Sequence, residues 1–327
     1  MSAIVASQLV KHFSPDIHAV DGIDLDIPEG QVFGFLGQNG SGKTTTVRML
    51  TTLLKPTSGT ARVAGLDVRT ESNAIRRTVG VAMQEVGLDE IQTGRELLSL
   101  QARLFGIPKA EAKKRVNELL DVITLADAAD RPVKGYSGGM KRRLDLACAL
   151  VHQPRILFLD EPTTGLDPVT REAVWRYVEE LNRGGVTVFL TTQYMEEADR
   201  LCEDIAIMDS GKIVAKGSPT ELKSAIGTDA MTLSFASEEE PQKARLALSS
   251  FENIDSMQVA DRQLIIYLKN GAGAVAGIVL CIAEAGLTIR DLRLAQATLD
   301  DVFLRATGHH LEVQEKLAAA AAAVGAA

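Results

Sequence analysis

A chain of 327 residues that is 46% hydrophobic and 24% charged has the make-up of a folded globular protein with room for two or three compact units. Its net charge of −8 argues against nucleic acid binding as its main task. Three widely spaced cysteines (Cys148, Cys202 and Cys281) suit a reducing cytosol and exclude a disulfide framework or a CxxC zinc site. The longest apolar stretches, near 274–283 and in the tail 317–327, are too short to span a bilayer. The first residues lack the basic-then-apolar order of a signal peptide. A role at a membrane would therefore need another chain to supply the membrane part.

Residues 1–30 alternate apolar and polar side chains, as half-exposed antiparallel strands do, with turns at Pro15-Asp16 and Pro28-Glu29-Gly30. The apolar run 32–36 reads as a buried parallel strand. It ends at Gly37-Gln38-Asn39-Gly40-Ser41-Gly42-Lys43-Thr44, and 44–54 then reads as a helix. A strand pair is predicted over 58–68, and a short strand within 77–83 leads to Gln84. From about 92 to 150 the pattern is helical, with helices over 93–105, 109–124 and 141–151, so a helical subdomain is inserted at about 87–150. The apolar runs 156–159 and 186–190 read as buried parallel strands, joined by a crossover helix over 168–182. Asp209-Ser210-Gly211 signals a hairpin, and the first domain, 1–227, closes near Ile226-Gly227. Residues 228–308 read as strand, helix, strand, strand, helix, strand, the ferredoxin-like βαββαβ order of a small α+β domain. A last helix over 299–306 starts at the N-cap Thr298, with Asp300 and Asp301 in its first turn. Residues 309–327 form an Ala-rich tail, expected to be helical at first and then frayed.

The segment from Gly37 to Thr44 fits G-x-x-x-x-G-K-[ST], a loop whose backbone N–H groups cradle phosphates. Its glycines permit the tight turn, and the helix that follows turns its positive end to the anion. Lys43 is expected to reach the β- and γ-phosphates, and Thr44 to place a hydroxyl on Mg²⁺. Asp160-Glu161 follows an apolar strand directly. Asp160 at the strand end suits Mg²⁺ beside Thr44, and Glu161 is placed to take a proton from attacking water. Gln84 also ends a strand. Its amide suits Mg²⁺ or the attacking water, although a lone glutamine is by default solvent-facing. Tyr136-Ser137-Gly138-Gly139-Met140 offers a second anion site: Ser137 as N-cap, with Gly138 and Gly139 exposing N–H groups at a helix start. In isolation this is an ordinary capped helix. Alongside the first loop it gives one chain two phosphate sites, and a head-to-tail pair of chains uses both on one nucleotide.

Taken together and in this order, these motifs resemble the ATP-binding subunit of an ABC transporter, over residues 4 to about 225. The resemblance implies a P-loop (RecA-like) α/β nucleotide-binding domain with an antiparallel β-subdomain. It implies ATP with Mg²⁺, bound by Gly37, Gln38, Asn39, Gly40, Ser41, Gly42, Lys43, Thr44 and Thr45. It also implies a homodimer in which Ser137, Gly138 and Gly139 close on the partner's nucleotide, Asp167 lies at the seam and Phe13 stacks on adenine. Core packing is the other reading of Phe13. The family's usual histidine after strand 186–190 is replaced by Gln193, which hydrogen-bonds but carries no proton or charge at neutral pH. That leaves Glu161 as the base, with Gln193 assisting and hydrolysis slow. Thr191-Thr192-Gln193-Tyr194 and the segment from Thr298 to Leu304 resemble the daunorubicin/doxorubicin-resistance branch. That branch implies export of drugs or lipids through a separate multi-spanning permease, from the cytoplasmic face of the cell membrane. The same likeness puts a permease-docking surface at 85–95. Lys141-Arg142-Arg143 reads as a solvated or nucleotide-facing helix start rather than a nucleic-acid patch. His12, His18, His152, His309 and His310 show no metal spacing and read as surface residues. Two rival readings are a soluble ABC ATPase of translation or DNA repair, and an ATP-binding switch that does not hydrolyse.

Overall fold

Strands β1 (Ser2–Ser14) and β2 (Ile17–Pro28) form an antiparallel hairpin whose inward residues, among them Ile4, Leu9, Ile23, Leu25 and Ile27, are buried. The computed structural model describes residues 1–14, 16–84, 87–227, 229–268 and 271–307. Next along the chain come β3 (Val32–Gly37), α1 (Lys43–Leu50), β4 (Ser58–Val63), β5 (Leu66–Asp67), α2 (Ser72–Thr78) and β6 (Val79–Ala82). The antiparallel sheet β2-β1-β4-β5 packs its apolar face on α1 and on residues of the parallel sheet in one continuous core. The helices α3 (Gly94–Leu104), α4 (Lys109–Val122) and α5 (Gly138–Leu150) follow. Thr93 caps α3 in a reciprocal capping box with Glu96. Ser137 caps α5, so that helix starts at Gly138 rather than at Lys141.

The rest of the first unit is β7 (Ile156–Asp160), α6 (Pro168–Arg183), β8 (Thr187–Thr192), α7 (Met195–Leu201), β9 (Asp204–Asp209) and β10 (Lys212–Gly217). The second sheet runs β10-β9-β3-β8-β7-β6. Its pairs β9-β3, β3-β8, β8-β7 and β7-β6 are parallel. Every residue of β3, β7 and β8 is buried, which is why these strands read as unbroken apolar runs. The ends of β3, β8 and β7 lie side by side at the carboxyl edge, where open parallel sheets bind ligands. The short helices α2 and α7 were not legible in the sequence.

Two compact units divide at Lys216/Gly217, upstream of the boundary expected at Ile226-Gly227. The intervening helix α8 (Pro219–Ile226), capped by Ser218 and Glu221, belongs to the second unit. It packs on the last described helix, α11, and Arg305 there donates to the Ala225 carbonyl. The second unit continues with β11 (Asp229–Ser234), α9 (Glu240–Ala247), β12 (Ile254–Ala260), β13 (Gln263–Leu268), α10 (Gly271–Glu284), β14 (Asp291–Gln296) and α11 (Leu299–Thr307). Its sheet is antiparallel, in the order β12-β13-β11-β14, with the βαββαβ sequence of elements. One core joins Met231, Leu233, Leu264 and Ile266 of the sheet to Ala244 of α9 and Ile278 and Ile282 of α10. Thr298 and Asp301 exchange hydrogen bonds at the start of α11, and Asp301 also accepts from the buried Tyr267 hydroxyl. The tail 309–327, with His309 and His310, lies outside the described residues.

Candidate functional site

The loop after β3 is shaped by contacts that leave no room for side chains. A Cβ on Gly37 would stand 2.5 Å from the Met208 carbonyl oxygen, and one on Gly42 would stand 2.2 Å from that of Ala19. Gly42 also sits at φ 111°, in the left-handed region glycine tolerates. Lys43 is 4% exposed. Its Nζ donates to the Gly37 and Gln38 carbonyls at 2.8 and 3.0 Å and lies 3.8 Å from Glu161 Oε1. Burial pulls the Lys43 ammonium below its ordinary pKa, against the opposing pull of Glu161 and Asp160. The buried Ser41 Oγ has no hydrogen-bond partner, a donor left for a ligand in the cradle. Gln38, Asn39, Gly40 and Thr45 line the rest of the turn and the first turn of α1, none of them fully buried.

Asp160 and Glu161 arrive from the end of β7. Thr44 donates to Asp160 Oδ1 at 3.3 Å, and Asp160 Oδ2 is buried and unpartnered. Glu161 is 5% exposed and holds φ 50°. Its N–H donates to the Thr191 carbonyl and hydroxyl at 3.0 and 3.2 Å, and its Oε2 accepts from the Thr164 hydroxyl at 3.3 Å. The structure thus brings Lys43, Thr44, Asp160 and Glu161 together.

Sequence reasoning missed three residues that hold these groups. Thr191 lies on β8, between the strands that carry the loop and the carboxylates, and its hydroxyl also donates to Asp160 Oδ1. A threonine ending a buried apolar strand was the available signal. Arg142 is 5% exposed, and burial pulls its guanidinium pKa down. It donates to the carbonyls of Met83, Asp160 and Pro162 and stands 3.5 Å from Asp145. Of the two readings of this basic helix start, solvated or nucleotide-facing, the burial of Arg142 sets aside the solvated one for that residue; Lys141, paired with Glu90, and Arg143, bonded to the Ile123 carbonyl, are half-buried. Burial also raises the Asp145 carboxyl to about 6, with Arg142 opposing. Glu197 on α7 is wholly buried and accepts from Thr163 and Trp175, both at 2.9 Å, so it anchors the segment that follows Glu161.

The remaining residues lie apart from that cluster. Ser137 and Gly138 are exposed, and Ser137 Oγ accepts from Met140 N–H. Gly139 packs against Thr170, whose hydroxyl donates to Asp167 at 2.6 Å. Asp167 caps α6 and is itself exposed, its carboxyl held below the usual range by the Thr170 hydrogen bonds. Phe13 is 58% exposed on β1, with the Lys11 ammonium 5.2 Å from its ring centre, which sets aside core packing. Gln84 is exposed just after β6, and Gln193 is half-buried just after β8. Of the expected docking surface 85–95, Glu85 and Val86 lie outside the described residues, and Ile91 is 85% exposed.

Thr191→Val is expected to lower kcat about tenfold or more while ATP affinity changes less. One hydrogen bond to a buried carboxylate contributes about 1.5–3 kcal/mol. Phosphate release and titration calorimetry separate the two quantities. An unchanged kcat would show that Thr191 does not orient the carboxylates.

Residues 20–164 match the family model described as ABC transporter. The chain is 45% identical over 311 residues to the daunorubicin/doxorubicin resistance ATP-binding protein DrrA of Streptomyces peucetius, covering 94% of this chain and 93% of that protein. The chain belongs to the ABC transporter ATP-binding family. It is also 38% identical to the Nod factor export ATP-binding protein I of Cupriavidus metallidurans, over 95% of this chain and 99% of that one. Among solved structures it resembles a dimeric ATP-binding cassette in a post-hydrolysis state bound to ADP and Pi, with a TM-score of 0.61, 27% identity, and 66% and 98% of the two chains covered. As an ABC cassette it is an ATP-binding ATPase subunit that works with a membrane permease and dimerises. No helix among the described residues is long and apolar enough to cross a membrane.

Proposed function

We propose that this cassette powers export of drugs or lipids through a separate multi-spanning permease, at the cytoplasmic face of the cell membrane. The observation that carries the catalytic part is the cluster of buried Lys43, Asp160 and Glu161 with half-buried Thr44 at the carboxyl edge of the sheet. Residues Gly37–Thr45 hold the phosphates of ATP, and Phe13 offers its exposed ring to adenine. The orphaned Asp160 Oδ2 beside the Thr44 hydroxyl is a hard-oxygen pair that fits Mg²⁺, with Gln84 as a further oxygen donor. The ion would neutralise phosphate charge as it develops. Glu161 takes the proton of the attacking water at its carboxylate, and Gln193 positions that water or a phosphate oxygen by hydrogen bonds alone.

The exposed cap at Ser137–Gly139 and the exposed Asp167, linked through Thr170, suit a face that meets a second copy. In that homodimer each copy's cap closes on the nucleotide held by the other. The drug-resistance name of one relative and the export name of another support an exporter, and their difference leaves the cargo to the permease. The test is a gentle detergent extraction of the tagged chain from its native membranes, followed by mass identification of what co-elutes. A stoichiometric multi-spanning partner is expected. Recovery only in the soluble fraction, with ribosomal or DNA-bound partners, would overturn the exporter reading in favour of a soluble ATPase.

A further inference from the structure

The fold brings together histidines that show no metal spacing along the sequence. His12 and His18 are far from a chelating motif in sequence, yet the β1–β2 hairpin places them directly across from each other. Their rings stack with centres 3.8 Å apart. Asp21, farther along β2, brings a carboxylate to the same point, and the three candidate ligand atoms all lie within 4.8 Å of one another. His12 Nε2 is buried and has no hydrogen-bond partner, so it is left able to accept a ligand. Asp21 pairs with the well-exposed Lys212 at 3.3 Å, and a pair of that kind holds weakly.

The geometry points to a transition-metal site formed by His12, His18 and Asp21. Two imidazoles and one carboxylate suit zinc, whereas Mg²⁺ prefers an all-oxygen set. With bonds of about 2.0–2.1 Å, tetrahedral zinc needs ligand atoms about 3.3 Å apart. Binding therefore requires the exposed His18 ring to swing inward and Asp21 to leave Lys212. Both are side-chain movements on an existing hairpin.

This position matters because it is tied to the phosphate loop by backbone. Asp21 N–H donates to the Gly211 carbonyl at 2.9 Å, and Gly211 N–H donates to the Ser41 carbonyl at 3.0 Å. The His18 carbonyl lies 3.0 Å from where a Gly211 Cβ would stand, so the hairpin and the β9–β10 turn have no slack between them. An ion that draws β1 and β2 together stiffens this chain of contacts. The ion is thus a regulatory ligand on a flank of the nucleotide cradle, not a reagent in hydrolysis.

The experiment titrates Zn²⁺ into the full, tag-free, chelator-stripped chain without nucleotide, by calorimetry, with Co²⁺ absorption as the report on geometry. Because no nucleotide is present, its result is independent of the export reading. One equivalent of zinc is expected to bind, with tetrahedral Co²⁺ bands. His12→Ala and His18→Ala should each weaken binding by at least about tenfold, the lower bound even for loss of an outer-shell partner. Lys212→Met should tighten it, because the competing ammonium is gone. The Gly211 amide should exchange its hydrogen more slowly with zinc in the parent chain and not in His12→Ala. Absence of binding, or binding that survives both histidine substitutions as cysteine-held zinc would, overturns the site. Unchanged Gly211 exchange in the zinc-loaded parent overturns the regulatory link.

Discussion

Glu161→Gln is expected to keep ATP binding and to lose turnover by about 10²–10⁴-fold, the usual contribution of a positioned general base. The substitution preserves size, and the amide oxygen can still accept from the Thr164 hydroxyl that now holds Oε2. It removes the negative charge and with it the ability to take a proton. Gln193 cannot make up the loss, since its amide does not titrate near neutral pH. A secondary effect follows for Lys43, whose ammonium is already pulled down by burial and supported first by Glu161. Without that negative charge Lys43 gives up its proton more readily, so ATP affinity in the variant should weaken at alkaline pH more than in the parent chain. Steady-state phosphate release and calorimetric titration with ATP measure the two effects. Normal turnover would move the base away from Glu161.

Arg142→Met should destabilise the first unit by about 3–5 kcal/mol. The guanidinium is the donor for three main-chain carbonyls, those of Met83, Asp160 and Pro162, and removing one partner of a buried charge pair costs about 3–5 kcal/mol. Removing the cation also leaves Asp145 without its opposing charge. At about 2–4 °C per kcal/mol for a unit of this size, the melting temperature should fall by about 6–20 °C. Arg142→Lys should rescue only part of this, because one ammonium cannot span three carbonyls in a planar fork. The same carbonyls precede Gln84 and Glu161 and follow Glu161 by one residue. The Lys variant, once folded, should therefore show a lower kcat with little change in KM. Calorimetry and steady-state kinetics test this; a Met variant that melts like the parent would show that the carbonyls find other donors.

The parts legible in the sequence were those written in local chemistry. The phosphate loop declared itself through glycines that the backbone demands at Gly37 and Gly42. The strands β3, β7 and β8 declared themselves through apolar runs, since both of their faces are covered. Asp160 and Glu161 followed from standing at the end of such a run. What stayed hidden depends on neighbours distant in sequence. Arg142 looks like any basic residue at a helix start until β7 and the end of β6 close over it. Thr191 gains its meaning from strand order, because β8 lies between β3 and β7. His12 and His18 needed the hairpin register before they became a pair. The division at Lys216/Gly217 also depends on distant neighbours, because α8 packs on α11, most of the second unit away in sequence.

Glu161 stands at φ 50°, where an ordinary L-residue is disfavoured by roughly 1–2 kcal/mol and glycine or asparagine is at ease. Chemistry and backbone therefore make opposite demands of one position. A lineage selected for heat tolerance alone would drift there toward residues that cannot take a proton, and would become a tight, idle ATP holder. In the proposed function a carboxylate is kept in that place to take the proton of the attacking water. A paralogue that had lost glutamate at this position would thus report relaxed demand for turnover before any other part of the fold had changed.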